Sequence, residues 1–379
     1  MKKNILFITH DTLLYGANQS LINMVSSLRD LGVSVKVIVP DRGPICDYFD
    51  EEQIDYSVVR YKTELKDPRK SIKSRFLNFL RFINTGIKNK IALKELQKIV
   101  RLHNITIVHS NSGVVGIGEE LAKKENIRHI WHLREYIDLD HGLDVFGGMQ
   151  KYKERIKKSD KVICISKGIL KYFGVDDNSV VLYNSVRKVA NSFKPETKSN
   201  YFLFCGSLVK NKGIEEAIQA FYNVYQHKNT LALWIAGSAE HAYDAYLKKM
   251  VLDLKLEKNV KFLGFRKDTD ELMSNALALL MCSKNEALGR VTIEAMLNSC
   301  IVIGFNNAGT AELINDGQTG LLYNNTQGLA NRMLEVINDT NNNLEMIRLN
   351  AYNYACANFL EKQYGIDLIN YYDSFLSEN

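Results

Sequence analysis

Short apolar runs alternating with segments of helical period set the organisation of this chain. Lys3 to Thr9 and Ser34 to Val39 read as strands, the second closed by Pro40. Between them Leu21, Ile22, Met24, Val25 and Leu28 fall on one face of a helix from Asn18 to Leu31, so the three segments form a βαβ unit. Further strands are expected at Ile105–His109, Arg128–Trp131, Lys161–Ile165 and Ser179–Tyr183, with helices between them. That alternation predicts a parallel sheet wound on both sides. Periodicity is lost from Arg187 to Asn200, where Asn191, Ser192, Pro195, Lys198 and Ser199 mark a linker. A second alternating set begins at Tyr201–Cys205 and runs through Leu231–Ala236, Val260–Leu263, Ala278–Cys282 and Ile301–Gly304. One or two helices rich in Tyr, Phe and Leu occupy Asn353 to Leu376.

Length agrees with this two-part pattern, since 379 residues exceed one ordinary domain. An apolar content of 46% with 24% charged residues is ordinary globular usage and excludes a disordered or fibrous chain. The cysteines Cys46, Cys164, Cys205, Cys282, Cys300 and Cys356 form no C-x-x-C pair, and several lie in strand-like runs. They read as reduced core residues of a cytosolic protein. Met1-Lys-Lys-Asn-Ile-Leu-Phe-Ile-Thr-His10 has too short an apolar part for a signal-peptide core and fits a first strand better. No segment approaches the roughly 18 uninterrupted apolar residues of a membrane span.

Charge adds one feature. Between Lys62 and Arg101 the basic residues Lys62, Lys66, Arg69, Lys70, Lys73, Arg75, Arg81, Lys88, Lys90, Lys94, Lys98 and Arg101 face only Glu64, Asp67 and Glu95. Phe76, Phe79, Leu80 and Ile83 fall at helical spacing beside that charge. A basic amphipathic helix of this kind suits an anionic membrane surface, and the alternative is a helical hairpin packed on its own domain. No nucleic-acid motif accompanies the charge.

The chemistry concentrates in Met281-Cys-Ser-Lys-Asn-Glu-Ala-Leu-Gly-Arg-Val-Thr-Ile-Glu-Ala-Met296, after the apolar run Ala276–Cys282. Glu286 and Glu294 bracket a strand-to-helix junction, with backbone N–H groups near Leu288, Gly289 and Arg290 and the positive end of a helix behind them. Such an end favours a diphosphate. Gly16 and Ala17, and Lys212 in Lys210-Asn-Lys-Gly213, stand at two more such loops, where a bare backbone or an ammonium can meet phosphate. His132 lies just past the expected strand Ile127–Trp131, followed by Arg134 and Glu135. No complete G-x-G-x-x-G follows the first strand, which argues against a nicotinamide dehydrogenase.

The Glu286/Glu294 pattern resembles the Glu-x7-Glu motif of the family 4 (group 1) retaining glycosyltransferases of GT-B architecture. The resemblance runs nearly end to end, through Gly16-Ala17, Trp131–Tyr136, Val162–Gly168, Val181–Ser185, Gly206–Gly213, Ile235–Gly237, Val260–Gly264 and Gly309–Leu313. It implies an α/β chain of two facing Rossmann-like, doubly wound domains. Residues 1–188 would bind the acceptor, 200–357 the nucleotide sugar, and 358–379 would form a helix returning to the first domain.

By the same resemblance, His132, Glu286 and Lys212 are catalytic, and Gly16, Ala17, Ser207, Lys212, Glu286, Leu288, Gly289, Arg290 and Glu294 contact the donor. His132 would meet the donor sugar, Glu286 its hydroxyls, Glu294 the ribose and Lys212 the leaving diphosphate. Arg134 is a further phosphate candidate, while Gly309, Thr310 and Glu312 would shape the donor site. The family usually has a second glycine where Tyr15 stands, and an arginine where Ser207 stands. Arg134, Arg290 or Lys210 are the candidates to replace that arginine's charge. The implied course is front-face displacement without a metal or any other cofactor. Asp138-Leu-Asp140 has metal-motif spacing in the wrong architecture.

The resemblance further implies a nucleotide-sugar donor, with uridine diphosphate favoured, and a lipid-linked or oligosaccharide acceptor in cell-surface polysaccharide assembly. The expected location is cytoplasmic and peripheral on the inner face of the cell membrane. Two other classes are weighed. A non-catalytic scaffold or partner subunit of the same fold would account for Ser207 and Tyr15, whereas an epimerase is disfavoured because the match is to transferases throughout.

Overall fold

The computed structural model describes residues 3–14, 16–66, 68, 71–194, 198–339 and 343–377. Tyr15, Asp67, Arg69, Lys70 and Pro195, which entered the sequence reading, lie outside the described residues. The chain divides into two compact units, Met1–Lys188 with Glu361–Asn379, and Val189–Leu360.

In the first unit the strands are β1 (Asn4–Ile8), β2 (Ser34–Val39), β3 (Tyr56–Val58), β4 (Leu65–Lys66), β5 (Ile107–Ser110), β6 (Arg128–Leu133), β7 (Asp144–Val145), β8 (Lys161–Cys164) and β9 (Ser179–Val181). Seven of them form one parallel sheet in the order β3-β2-β1-β5-β6-β8-β9. The central strands read as apolar runs because helices cover both faces. Ile5, Leu6, Phe7 and Ile8 are all fully buried. On one face the helix Gly16–Asp30 buries Leu21, Ile22, Met24, Val25 and Leu28. Beside it lies the C-terminal helix Glu361–Ser377, which adds Tyr364, Leu368, Tyr372 and Phe375 to the same core. The two helices touch where Ser27 Oγ donates to the Glu361 carbonyl at 2.7 Å and Gly365 leaves room for it.

The second unit contains β10 (Tyr201–Cys205), β11 (Ala232–Ala236), β12 (Val260–Gly264), β13 (Ala278–Met281), β14 (Ile301–Phe305) and β15 (Leu321–Tyr323). They form one parallel sheet in the order β12-β11-β10-β13-β14-β15. Phe202, Leu233, Ile235, Leu280 and Ile303 line a core with Ile214, Ile218 and Phe221 of the helix Ile214–Tyr225.

Three short pieces have no counterpart among the expected strands. These are the edge strands β3 and β15 and the antiparallel pair of β4 with β7. Each spans two or three residues, too few to show a period. The basic segment is also a correction. It forms one continuous helix, Ile72–Leu102, rather than a hairpin, capped by Ser71, whose Oγ accepts from the Ser74 N–H at 3.1 Å. Gly86 alone does not break it, since a glycine costs a helix only about 1 kcal/mol. The C-terminal half buries Ala92, Leu93, Leu96 and Val100, and Gln97 and Arg101 bond to Glu125 of the helix Ile117–Glu125. The N-terminal half leaves Phe76, Phe79, Leu80 and Ile83 exposed. Among the described residues no helix is long and apolar enough to cross a membrane.

Three histidines lie within the first sheet: His109 on β5, and His129 and His132 on β6, none more than 2% exposed. Burial pushes His129 down to about 3. Burial first, then Arg134 and a neighbouring imidazole, hold His109 and His132 well below the ordinary imidazole value. All three are therefore neutral in the folded chain. Burial alone would push His10 the same way, but its hydrogen bond to Asp11 and nearby carboxylates raise it. Below about pH 6.5 the unfolded chain takes up three protons that the folded chain refuses, so stability is full above that value and falls as pH drops. His10 contributes fully below about pH 6.5 and loses that contribution as pH rises through its raised value, so it offsets part of the change just above pH 6.5 and adds nothing to the loss below it. Denaturant titrations at pH 7.5 and 5.5 should show stability falling by a few kcal/mol per pH unit, on the order expected for up to three protons. A flat profile down to pH 5 would mean that the three imidazoles charge while folded.

Candidate active site

The winding of each sheet decides where chemistry can gather. In the second unit the strand order reverses between β10 and β13, so the loops leaving their carboxyl ends run to opposite sides and open a crevice. Gly206–Gly213 follows β10 and Cys282–Gly289 follows β13. The two loops touch backbone to backbone. Gly213 has φ +74°, and a Cβ there would stand 2.3 Å from the Cys282 carbonyl oxygen. Only glycine allows both.

That approach brings Lys212 to Glu286. Their Nζ and Oε2 atoms lie 2.6 Å apart, with the lysine side chain 34% and the glutamate 16% exposed. A third loop, after β14, holds the second in place. The Gly309 N–H donates to the Glu286 carbonyl at 2.8 Å and Asn307 Nδ2 to the Lys284 carbonyl at 2.8 Å. A Cβ on Gly309 would meet the Leu288 Cα at 2.6 Å, so the two loops pack this closely only with glycine at 309.

Gly289 then starts the helix Arg290–Leu297, whose first turn has no side-chain cap. Such amides and their dipole suit an anion. Arg290 pairs with Glu294 one turn on, at 3.3 Å. Burial, and then the charge of Glu294, pushes the Cys205 thiol at the end of β10 up to about 12. Glu294 is therefore within electrostatic reach of that strand end. Leu288 is buried, while Ser207 and Lys210 are exposed on the loop after β10. Of the cations considered as replacements for an arginine at 207, Arg290 pairs with Glu294 and Arg134 belongs to the other unit.

In the first unit the reversal lies between β1 and β5. Gly16 is exposed at the start of its helix, and the Ala17 carbonyl accepts from Asn111 Nδ2 at 3.3 Å. Asn18 shapes this loop, receiving a hydrogen bond from Thr9 Oγ1 at 2.5 Å and donating to Asp11 Oδ1 at 2.6 Å and the Leu13 carbonyl at 2.8 Å.

His132 departs from its expected placement beyond the strand, because β6 continues through Leu133 and the imidazole is fully buried. Its Nδ1 lies 3.2 Å from Arg134 Nη2 and 3.0 Å from His109 Nε2. Its Nε2 has no partner among the described residues. Arg134 is only 5% exposed, donating through Nε to Asn111 at 2.9 Å and through Nη1 to Asn184 at 2.5 Å. Glu135 accepts from Ser112 Oγ.

Asn18, Asn111, Asn184, His109 and Tyr372 were not found by sequence reasoning. Only His109 carried a signal, a histidine directly after the apolar pair Ile107–Val108 in the expected strand. Among the described residues no three His, Cys, Asp or Glu side chains cluster as metal ligands would.

Residues 186–354 match the model of the Glycosyl transferases group 1 family. A curated relative, an uncharacterized glycosyltransferase of Methanocaldococcus jannaschii, is 29% identical over 266 residues, 65% of this chain and 70% of the relative. The N-acetyl-alpha-D-glucosaminyl L-malate synthase of Bacillus anthracis is 23% identical over 48% of this chain and 48% of its own length, so the match spans about half of that relative. Among solved structures, Anabaena HepE in complex with UDP has a TM-score of 0.80 at 20% identity, covering 98% of this chain and all of that one. The likeness to that structure shows the fold. The group 1 glycosyl transferase match is thus carried by residues 186–354, and the chain is a glycosyltransferase of GT-B fold.

Proposed function

We propose that this glycosyltransferase moves a hexose from a nucleotide sugar, a uridine diphosphate sugar by preference, to a lipid-linked or oligosaccharide acceptor in cell-surface polysaccharide assembly. The transfer retains anomeric configuration and uses no metal. The unit Val189–Leu360 takes the donor, and the unit built on β1 to β9 takes the acceptor.

The observation that carries this reading is the Lys212–Glu286 pair at the reversal of the second sheet. When a diphosphate arrives, the ammonium turns to it and the amides of Gly289 and Arg290 share its charge. Glu286 is released to the sugar hydroxyls, where its charge stabilises an oxocarbenium-like transition state. Glu294 takes the ribose hydroxyls, and the unpartnered His132 Nε2 meets a hydroxyl of the sugar. The leaving phosphate itself assists deprotonation of the acceptor, so no carboxylate pair of glycosidase type is required. The complex of HepE with UDP supports the nucleotide class. Relatives named as a lipopolysaccharide core glycosyltransferase of Rhizobium meliloti and a capsular polysaccharide glycosyltransferase of Staphylococcus aureus support the acceptor class.

A thermal-shift screen against uridine, guanosine, adenosine and thymidine diphosphates and their sugar conjugates, without metal, should show stabilisation by one nucleotide family. Lys212→Ala and Glu286→Ala should each lower kcat by roughly two to three orders of magnitude. Neither should shift the melting temperature by more than a few degrees, since a partly exposed pair contributes about 1 kcal/mol or less. Wild-type turnover in both variants would remove the site assignment. One feature favours the scaffold reading: Ser207 presents an exposed hydroxyl where the family's arginine is expected. A nucleotide-dependent shift with no transfer to any acceptor would select it.

The exposed half of the helix Ile72–Leu102 supports a cytoplasmic, membrane-peripheral setting. Phe76 is 62% and Phe79 59% exposed, beside exposed Lys73, Arg75 and Arg81. Burying such rings at the headgroup level while lysine and arginine meet anionic lipid is the arrangement of an interfacial helix. The chain should co-sediment with vesicles containing anionic phospholipid, less so as salt rises, and Phe76→Ser with Phe79→Ser should reduce binding at least tenfold. Equal binding to neutral vesicles, or none to anionic ones at low salt, would overturn this assignment.

A further inference from the structure

His109 and His132 stand on neighbouring parallel strands. His109 lies opposite Ile130, and His132 is two residues further along the same face, because side chains of one face recur every second residue. The two rings meet at 3.0 Å, Nε2 of His109 to Nδ1 of His132. The other nitrogen of His109 lies 2.8 Å from the hydroxyl of Tyr372, supplied by the C-terminal helix. All three side chains are fully buried. We propose that His109, held by Tyr372, is a positioning residue that together with Arg134 fixes His132 as the Nε2–H tautomer, a hydrogen-bond donor.

The direction of every bond follows from one group. A guanidinium only donates, so Arg134 Nη2 at 3.2 Å makes His132 Nδ1 an acceptor. The proton of the neutral ring then sits on Nε2. His109 Nε2 faces the same lone pair and must also donate, which leaves His109 Nδ1 as an acceptor. Tyr372 therefore donates its O–H. Neutrality, on which this depends, is secured by burial and by the Arg134 charge. The reversed tautomer would set the N–H on His132 Nδ1 against the N–H of Arg134, and would turn Nε2 into an acceptor.

The Nε2–H is left buried without a partner among the described residues, and a buried donor of this kind calls for a partner such as a ligand or a water molecule. Chain order explains why the last helix matters: its Tyr372 is the first donor of the series. The consequence for turnover rests on the donor-sugar role proposed for His132; the tautomer itself does not.

Histidine side-chain 15N NMR of the full chain, with selective labelling and assignment by His132→Gln and His109→Gln, reads both tautomers directly. Wild type should show His132 and His109 each protonated on Nε2. His109→Leu should give His132 a measurable Nδ1–H population and lower kcat at least tenfold with KM little changed. His109→Gln, whose amide can donate to the same lone pair, should restore the tautomer and turnover to within a few-fold. Tyr372→Phe should loosen the His109 tautomer without unfolding the chain. An Nδ1–H His132 in wild type, or an unchanged tautomer in His109→Leu, would overturn the proposal. A chain that shows the expected tautomers and their loss in His109→Leu, yet transfers no sugar, would retain this inference and refute the function proposed above.

Discussion

Close backbone contact at a reversal of sheet winding is the constraint on which the second unit depends. A parallel sheet covered on both faces has no open surface for chemistry, and only the carboxyl ends of its strands remain. At β10 and β13 the loops must come within carbonyl-to-Cα distance for Lys212 to reach Glu286, and Gly213 permits it by carrying no side chain, as Gly309 does where the loop after β14 packs on the loop after β13. Gly206 and Gly237 repeat the device between the loops after β10 and β11, where a Cβ on Gly237 would overlap the Gly206 carbonyl. The glycines are steric conditions for the positions of the charged residues.

This explains which parts were legible in the sequence. Glu286, Lys212, Gly289 and Gly309 announce themselves because their loops need particular residue types at fixed distances from apolar runs, and those runs are themselves dictated by two-sided burial. The long strands followed from the same burial. What escaped were elements whose residues do several jobs equally well. β3 and β15 are three residues each at sheet edges, too short for a period to mark them. Asn18, Asn111 and Asn184 orient loops and Arg134 through amide hydrogen bonds, and an asparagine in a loop looks the same whether or not it does this. Tyr372 lies hundreds of residues from His109, so only the return of the last helix to the first unit joins them.

The continuous helix Ile72–Leu102 shows the same point from another side. Its C-terminal half is amphipathic and packs, whereas its N-terminal half carries apolar and basic residues that the rest of its unit does not cover. Periodicity registered the stripe at Phe76, Phe79, Leu80 and Ile83, but a stripe facing solvent and one facing protein have the same spacing. Coverage is a tertiary fact.

The two units handle charge in opposite ways. In the first, the buried guanidinium of Arg134 donates to two asparagines and meets an imidazole, and its charge fixes the direction of those hydrogen bonds. In the second, two cations near the strand ends are paired, Lys212 with Glu286 and Arg290 with Glu294, while Lys210 is exposed on the loop after β10. Those two pairs carry no net charge, and the uncapped start of the helix at Arg290 adds positive potential beside them. A diphosphate entering such a site must first draw Lys212 from Glu286. In the transfer proposed above, the same displacement frees Glu286 for the sugar, so that nucleotide binding and exposure of that carboxylate become one event.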